Sequence, residues 1–198
     1  MKYVCCSGTQ ENQQHGEPFR FSIRTAEIDD GDILPALENA AGMVFRTIPA
    51  LAHLVDGEDL PVARYKELIS KRASWVAVDS GSSLVAFLCG ETERNVLHLW
   101  ELGVLPDVQR RGLGRALVDH AIEFAKHESC KAITLTTFRE VPWNAPFYES
   151  MGFKIVDLDK HERLSAILRE ETKRGLEIEL RCAMMLSLEE RVSEFHGR

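Results

Sequence analysis

Residues 109–117, QRRGLGRAL, constrain the fold most strongly, because they place two glycines and three arginines at the start of a helix. The helix that follows carries its apolar side chains on one face, at Leu113, Leu117, Ala121 and Phe124. Two glycines in a first turn cost about 1 kcal/mol each relative to alanine, and capping demands at most one. Glycine lets an anion approach the unpaired N–H groups of a helix start. The segment therefore predicts an anion site.

Strand patterns surround this helix on both sides. Residues 74–78, 83–90 and 95–104 alternate or are continuously apolar, and short polar turns separate them, so they predict an antiparallel meander. Residues 131–138 form the next strand pattern after the helix. A strand, a helix and a strand in succession predict a right-handed crossover that pairs 131–138 with 95–104 in parallel.

The remaining elements complete one α/β domain with a mixed sheet over residues 18–190. The patterns predict strands at 19–26, 153–158 and 178–186, helices at 28–45, 61–71, 144–151 and 161–174, and a loop or broken helix at 46–60. The last strand should place one set of side chains on a single face: Ile178, Leu180, Cys182, Met184 and Leu186. Residues 1–17 are predicted to be a disordered leader, and residues 191–198 a flexible tail.

Composition excludes several classes of function. The 24 Lys and Arg against 31 Asp and Glu leave a net charge of −7, which argues against nucleic-acid binding. No apolar run approaches the ~20 residues that span a bilayer, and the start lacks a secretory signal, so we expect a cytoplasmic protein without a membrane partner.

The five cysteines form no CxxC pair and the histidines show no ligand spacing, so no metal site is predicted. Cys89 and Cys182 should be buried, inert thiols, and a homodimer stays open.

The kind of anion-binding site at the helix start is narrowed by eliminating known motifs. A phosphate-binding P-loop would need GxxxxGK[ST], which is absent, and the dinucleotide pattern GxGxxG fails at Leu117. A pyrophosphate cradle is left, with a capped helix and a solvated basic turn as the alternative.

Three segments resemble one family. VLPDVQRRGLGRAL is similar to the acetyl-CoA signature Q/R-x-x-G-x-G/A of the GNAT superfamily of N-acetyltransferases. LHLWELGV resembles the fourth strand of that family, and FYESMGF resembles its aromatic-Tyr-Glu-x-x-Gly-Phe segment. The order of elements agrees from about residue 19 to 187. The resemblance implies a mixed, mostly antiparallel sheet with splayed central parallel strands and helices on both faces. It also implies transfer of an acetyl group from acetyl-CoA to a primary amine of a small molecule or peptide, by direct attack in a ternary complex.

The resemblance assigns the residues that bind acetyl-CoA. N–H groups of residues 110–116 would hold the pyrophosphate, and the pantetheine arm would pair with residues 102–104 as a surrogate strand. The implied set is Leu102, Gly103, Val104, Gln109, Arg110, Arg111, Gly112, Leu113, Gly114, Arg115, Ala116 and Asn144. Gly103 has a simpler explanation as a strand end. Many family members carry an Asn seven residues before the Tyr, where it contacts the cofactor arm, and that position is Val141 here. Asn144 either replaces that Asn or caps the short helix.

Two side chains are the catalytic candidates. The resemblance places Tyr148 beside the sulfur of CoA, where its hydroxyl would protonate the leaving thiolate; the alternative is packing against Phe147 and Phe153. Glu101 ends an apolar strand, and we expect it to take a proton from the amine, with a solvated strand end as the alternative. His98 is a weaker candidate, expected on the opposite face of that strand. The N–H of Val104 would stabilise the oxyanion.

The acceptor is not identified by the sequence. The resemblance implies that the first two helices and nearby loops set the acceptor. Here they contain Phe45, Arg46, His53, Asp56, Glu58 and Asp59. Acidic side chains there would suit a cationic amine. Two other functions stay open: a non-catalytic acyl-CoA sensor or regulatory module, and a nucleotide-binding scaffold.

Overall fold

The computed structural model describes residues 19–57 and 60–189. The leader predicted over 1–17, the tail over 191–198, and Glu58 and Asp59 therefore lie outside the described residues. The strands are β1 (Phe21–Thr25), β2 (Ala73–Asp79), β3 (Leu84–Glu93), β4 (Val96–Val104), β5 (Ala132–Phe138), β6 (Lys154–Ile155) and β7 (Arg181–Ser187). The helices are α1 (Leu34–Gly42), α2 (Val62–Ser70), α3 (Leu113–His127), α4 (Ala145–Glu149) and α5 (Glu162–Lys173).

The strands of the described chain form one sheet in the order β1-β2-β3-β4-β5-β7-β6. β1 to β4 are antiparallel neighbours, which confirms the meander predicted for β2, β3 and β4. β4 and β5 are parallel, which confirms the crossover through α3. β7 pairs antiparallel with β5 and with β6. The mixed, mostly antiparallel sheet predicted from the sequence is confirmed.

Helices cover both faces of the sheet, also as predicted. The larger core cluster joins α3 and α4 to one face, through side chains such as Leu117 and Phe147. A second cluster packs α1 and α2 against the other face, around Leu37 and Leu68. α5 lies on that second face as well, where Leu168 contacts Ala183 of β7. The sheet therefore separates the side chains on its two faces. Only a gap between two strands would bring groups from both faces together.

Such a gap opens between the two parallel strands. β4 and β5 pair from Val96–Ala132 to Leu99–Leu135, and pairing stops there, although β4 continues to Val104 and β5 to Phe138. The register between β3 and β4 also shifts at this level, because Gly90 is opposite Leu99 whereas Cys89 is opposite Glu101. A bulge bends its strand and ends regular pairing. The splayed central strands implied by the family resemblance are thus present.

Three predicted elements have different boundaries. The helix predicted over 28–45 is α1 flanked by 3-10 turns at Ile28–Asp32 and Met43–Thr47, and Pro35 stands in the first turn of α1, where its missing N–H is tolerated. The strand predicted over 153–158 is only β6, because the side chain of Asp157 caps a 3-10 turn by accepting from the N–H of Asp159.

The final strand is also shorter than predicted. Residues Ile178–Leu180 form a 3-10 turn, and the strand begins at Arg181. Ile178 and Leu180 therefore leave the predicted apolar face and pack in two smaller clusters. Cys182, Met184 and Leu186 do share the face toward α3.

Burial keeps the thiols of Cys89 and Cys182 protonated. Burial raises the pKa of the Cys89 thiol to about 12 and that of Cys182 to about 11. Both thiols stay protonated at neutral pH, so the prediction of inert thiols holds. Among the described residues, no helix has the length and hydropathy to cross a membrane, and no group of three or more metal-ligating side chains is assembled.

Candidate active site

The loop before α3 has a left-handed backbone at two positions. Gly112 has φ +87°, and a Cβ built on it would meet nothing within 4 Å. Arg110 has φ 61°, which an arginine adopts only where the surroundings hold it. Left-handed residues at this spacing turn successive N–H groups toward one side of the chain. The glycine at 112 is therefore required by the turn, and its surroundings are open.

The main-chain N–H groups of residues 110–115 have no protein acceptor within the described chain. Gly112 has no side chain with which to cap α3, and the first intrahelical bond runs from the Ala116 N–H to the Gly112 carbonyl, at 2.9 Å. The helix dipole of α3 adds partial positive charge at the same end of the helix. Unpaired donors and a positive end are what an anion such as a phosphate requires.

The side chains around this helix start divide into anchors and exposed charges. Leu113 and Gly114 are buried and Ala116 is half-buried, so the first turn is fixed to the core. The exposed charges are Arg110, Arg111 and Arg115. The guanidinium of Arg111 lies 5.1 Å from the ring of Phe19, and that of Arg115 donates to Ser150 Oγ at 2.9 Å.

Gln109 connects the loop to the sheet. Its Nε2 donates to the carbonyl oxygen of Val104 at 3.0 Å. The N–H of Leu105 donates to Val85 on β3 at 2.9 Å. Since main-chain groups alternate in direction along a strand, those of Leu102 and Val104 point away from β3, toward the gap beside β5. The end of β4 thus presents hydrogen-bonding groups to the gap.

Gly103 is explained by packing. A Cβ at this position would lie 2.4 Å from Cε1 of Phe87, whose ring covers it from the opposite residue of β3. The close approach that glycine permits here is therefore to an aromatic ring.

Tyr148 lies on α4, on the same face of the sheet as α3, and it is completely buried. Its ring contacts those of Phe147 and Phe153, with centroids 4.9 Å and 5.5 Å away. The packing contacts considered as the alternative are therefore present. They hold the ring in place within the core cluster that includes α3.

Asn144 is the N-cap residue of α4, but its amide is used elsewhere. Nδ2 donates to Thr137 Oγ1 at 2.7 Å, and the residue is fully buried. Thr137 belongs to the part of β5 beyond its pairing with β4. Asn144 thereby positions α4, and with it Tyr148, relative to the gap.

Glu101 lies on the other face of the sheet, 5% exposed. It lines a cavity of about 370 Å³ between α2, β4 and α5. A solvated strand end is therefore excluded. The gap between β4 and β5 separates this carboxylate from Tyr148, so the two catalytic candidates approach the same gap from opposite faces.

His98 lies on the same face as Glu101, and the prediction of opposite faces was wrong. Leu97 and Leu99 belong to the α3 face, and so does Leu102, because the bulge at Trp100 shifts the alternation by one residue. Nδ1 of His98 is 3.0 Å from Thr134 Oγ1, and complete burial, with the charge of Arg163, lowers its pKa well below the usual range. His98 is a neutral residue of the sheet interior.

Sequence reasoning missed two buried acidic groups near Glu101. Glu38 of α1 is fully buried and accepts from the Tyr65 hydroxyl at 2.7 Å and from the Leu60 N–H at 3.1 Å. Burial and the nearby carboxylates of Glu38 and Glu101 raise the pKa of Tyr65 well above its usual value. The sequence feature that could have revealed this buried acid is the position of Glu38 inside the apolar run LPALENAAG.

The second missed group is an ion pair. Glu171 of α5 accepts from Nη2 of Arg181 at 2.8 Å and from Thr136 Oγ1 at 2.6 Å. Burial raises the pKa of Glu171, but the charge of Arg181 and these hydrogen bonds outweigh it, so the net pKa is lowered. The guanidinium also lies 4.7 Å from the ring of Phe138. The sequence feature that could have revealed this ion pair is the single arginine, Arg181, within an alternating apolar strand.

None of the described residues that were expected to set the acceptor lines the cavity of about 370 Å³. Phe45 is buried against Phe138 and Trp143, with centroids 5.3 Å and 6.2 Å away. Arg46 and Asp56 form an exposed ion pair at 2.9 Å, which offsets the charge of that acid. His53 lines a second cavity beside the first.

Comparison with known proteins agrees with this geometry. The sequence model of the Acetyltransferase (GNAT) family matches residues 45–153. The chain belongs to the GNAT acetyltransferase family. The fold and the membership of an acetyltransferase family that the resemblance implied are therefore confirmed, and the match includes the helix start and Tyr148.

Individual relatives of this GNAT acetyltransferase are distant. The uncharacterized N-acetyltransferase MJ1207 of Methanocaldococcus jannaschii is 31% identical over 88 residues, which are 44% of this chain and only 37% of that relative. The peptidyl-lysine N-acetyltransferase YjaB of Salmonella typhimurium is 25% identical over 134 residues, 68% of this chain and 83% of that protein. The crystal structure of the PaiA N-acetyltransferase of Thermoplasma acidophilum, in complex with coenzyme A, superimposes with a TM-score of 0.58 at 17% identity. That match covers 85% of this chain and 99% of the other.

Proposed function

We propose that this enzyme transfers the acetyl group of acetyl-CoA to a primary amine of a small molecule or peptide by direct attack within a ternary complex. The observation that carries the proposal is the run of unpaired N–H groups at residues 110–115, beside the end of β4 and the gap. Supporting it, the structure of the Thermoplasma acidophilum relative contains coenzyme A.

The residues at the helix start fit a diphosphate. The N–H groups from Arg110 to Arg115 would bind its oxygens, and the absence of a side chain at Gly112 leaves room for it. The exposed guanidinium groups of Arg110 and Arg111 would add charge. Acetyl-CoA, once bound, supplies a thioester carbonyl that an amine can attack.

The end of β4 would orient the acyl arm. Leu102 and Val104 direct main-chain groups into the gap, where β5 no longer pairs, so an extended chain can hydrogen-bond to them. The N–H of Val104 would donate to the oxygen that gains negative charge. Gly103 and Asn144 would support this edge, the first through Phe87 and the second through Thr137.

Two side chains would transfer protons. An alkylamine is protonated at neutral pH, because its pKa is about 10, so it must lose a proton before it attacks. The carboxylate of Glu101 would accept that proton, directly or through water, from an amine in the cavity. The hydroxyl of Tyr148 would donate a proton to the departing thiolate from the other side of the gap.

Release of CoA from acetyl-CoA, measured with a panel of amines, tests the proposal. The panel contains alkylamines, amino acids, aminoglycosides and lysine-containing peptides, since the Salmonella relative is named for peptidyl-lysine. We expect amine-dependent release, and the acetylated amine as product. Binding of acetyl-CoA without turnover on any amine would instead favour the acyl-CoA sensor. Thermal stabilisation by ATP or NAD, and none by CoA, would favour the nucleotide-binding scaffold.

A further inference from the structure

The cavity in front of Glu101 is lined by three guanidinium groups. They belong to Arg64 of α2, Arg163 of α5 and Arg174 at the end of α5. Among the carboxylates that line the cavity, Glu170 is paired with Lys173 and Glu171 with Arg181. The cavity therefore presents guanidinium groups together with the buried carboxylate of Glu101.

The described charged residues that line the adjoining cavity are basic as well. This cavity measures about 760 Å³ and shares Leu60, Arg64, Arg174 and Leu176 with the first one. His53 and Lys173 also line it, and none of the described residues around it is acidic. A molecule that reaches Glu101 by this route passes positive side chains.

These cations are available to a ligand. Arg64 pairs with the exposed Glu67 at 2.8 Å, and Arg163 with the half-exposed Glu93 at 3.0 Å. Such surface pairs contribute little and exchange readily. In the described chain no carboxylate lies within ion-pairing distance of Arg174, although that residue lines both cavities. Arg174 is therefore the cation best placed to bind an incoming anion.

We infer that the amine acceptor is a small amino-carboxylic acid, whose amine approaches Glu101 while its carboxylate binds Arg174 and Arg64. This inference rests on the proposed acetyl transfer. A volume of about 370 Å³ suits a small ligand, and the paired positive and negative groups match the opposite charges of an amino acid. It adds a carboxylate to the cationic amine that the acidic loop residues would suit.

Matched acceptors test the inference. Each ω-amino acid of three to six carbons, and each of several α-amino acids, is compared with its carboxamide and with the corresponding alkylamine. We expect kcat/KM at least ~10-fold higher for the best carboxylate, the scale of a charged hydrogen bond. In Arg174→Ala this ratio should fall toward one, and in Arg174→Glu it should favour the alkylamine. Arg169→Ala is the control, because Arg169 is exposed on α5 and donates to Ser165 of the same helix.

The outcomes separate the two proposals. If no amine releases CoA, the proposed function fails. If alkylamines or carboxamides are acetylated as well as the acids, or if Arg174→Ala keeps the preference while folded, acetyl transfer stands and the inference is overturned. Higher kcat/KM for peptides than for every small acid would overturn it too.

Discussion

Gln109 and Val104 are joined by a hydrogen bond of 3.0 Å from the side-chain Nε2 to the main-chain carbonyl. The bond connects the loop before α3 with the last residue of β4. One end of it lies beside the unpaired N–H groups at the helix start, and the other lies at the gap in the sheet. The proposed diphosphate site and the proposed acetyl-transfer site are therefore held at a fixed separation.

Replacing Gln109 should weaken CoA binding. One neutral hydrogen bond contributes about 0.5–1.5 kcal/mol, so we expect Gln109→Ala to raise the Kd for CoA by ~2- to 10-fold, measured by isothermal titration calorimetry. Asp107→Ala is the control, since Asp107 is exposed in the preceding 3-10 turn. An unchanged Kd in the Gln109 variant would show that the tether has no part in binding.

Gly112→Asp should abolish CoA binding, because a carboxylate would enter the space proposed for the diphosphate. Gly175→Asp is a matched control: Gly175 has φ +86° against +87° for Gly112, and an added Cβ is equally free of contacts. Both variants should lose ~1–2 kcal/mol of stability from the left-handed backbone. Equal CoA affinity in the two variants would refute the diphosphate site.

Tyr148→Phe should lower turnover by ~10²-fold or more, the usual scale for a general acid. The ring contacts with Phe147 and Phe153 remain in this variant, so it should fold, and the Kd for acetyl-CoA should change little. Single-turnover kinetics with the best amine of the panel would measure the chemical step. A fully active phenylalanine variant would leave Tyr148 with a packing role only.

Glu101→Gln should lower turnover at neutral pH, on the ~10²-fold scale of a lost general base. The loss should shrink as the pH approaches ~10, where an alkylamine is neutral without help. The pH profile of kcat/KM distinguishes this from a structural defect, which would reduce the rate at every pH. Glu91→Gln, on neighbouring β3, serves as control because Glu91 pairs with Lys71 at 3.5 Å, outside the cavity.

The Glu171–Arg181 pair should make stability sensitive to acid. The pKa of Glu171 is lowered in the folded protein, so its contribution is complete above the ordinary glutamate pKa and disappears as the pH falls through the lowered value. Denaturant unfolding at several pH values should show a smaller acid-dependent loss in Glu171→Gln than in the wild type.

The same variant should be less stable at neutral pH. Removing one partner of a buried pair leaves the other charge uncompensated and costs ~3–5 kcal/mol. The double variant Glu171→Leu, Arg181→Met removes both charges and should recover much of that loss. Similar instability in the single and double variants would mean that packing, not charge, dominates at this place.

Local patterns determined a large part of this protein. The spacing of Leu113, Leu117 and Ala121 predicted α3, and the strand patterns on either side predicted its parallel crossover. Gly112 and Gly114, with the arginines, predicted an anion site at the helix start. The helix and its crossover depend on residues close together in the chain, so periodicity and turn chemistry are sufficient to find them, and the anion site stays a prediction.

The tertiary structure decided the arrangement around Glu101. One bulge at Trp100 moves Glu101 and His98 to the same face, and strict alternation could not predict it, because a bulge depends on the partner strand. Gly103 is required by the ring of Phe87, which is distant in sequence.

Long-range contacts also built the charged surroundings of the cavity. Arg64 and Arg174 come together only when α2 and α5 pack on one face of the sheet, and Glu171 meets Arg181 only across α5 and β7. A sequence displays the charge of each side chain, but its neighbours in space depend on the packing of elements far apart in the chain. For that reason helix α3 was predictable from the chain alone, whereas the charged lining of the cavity required the fold.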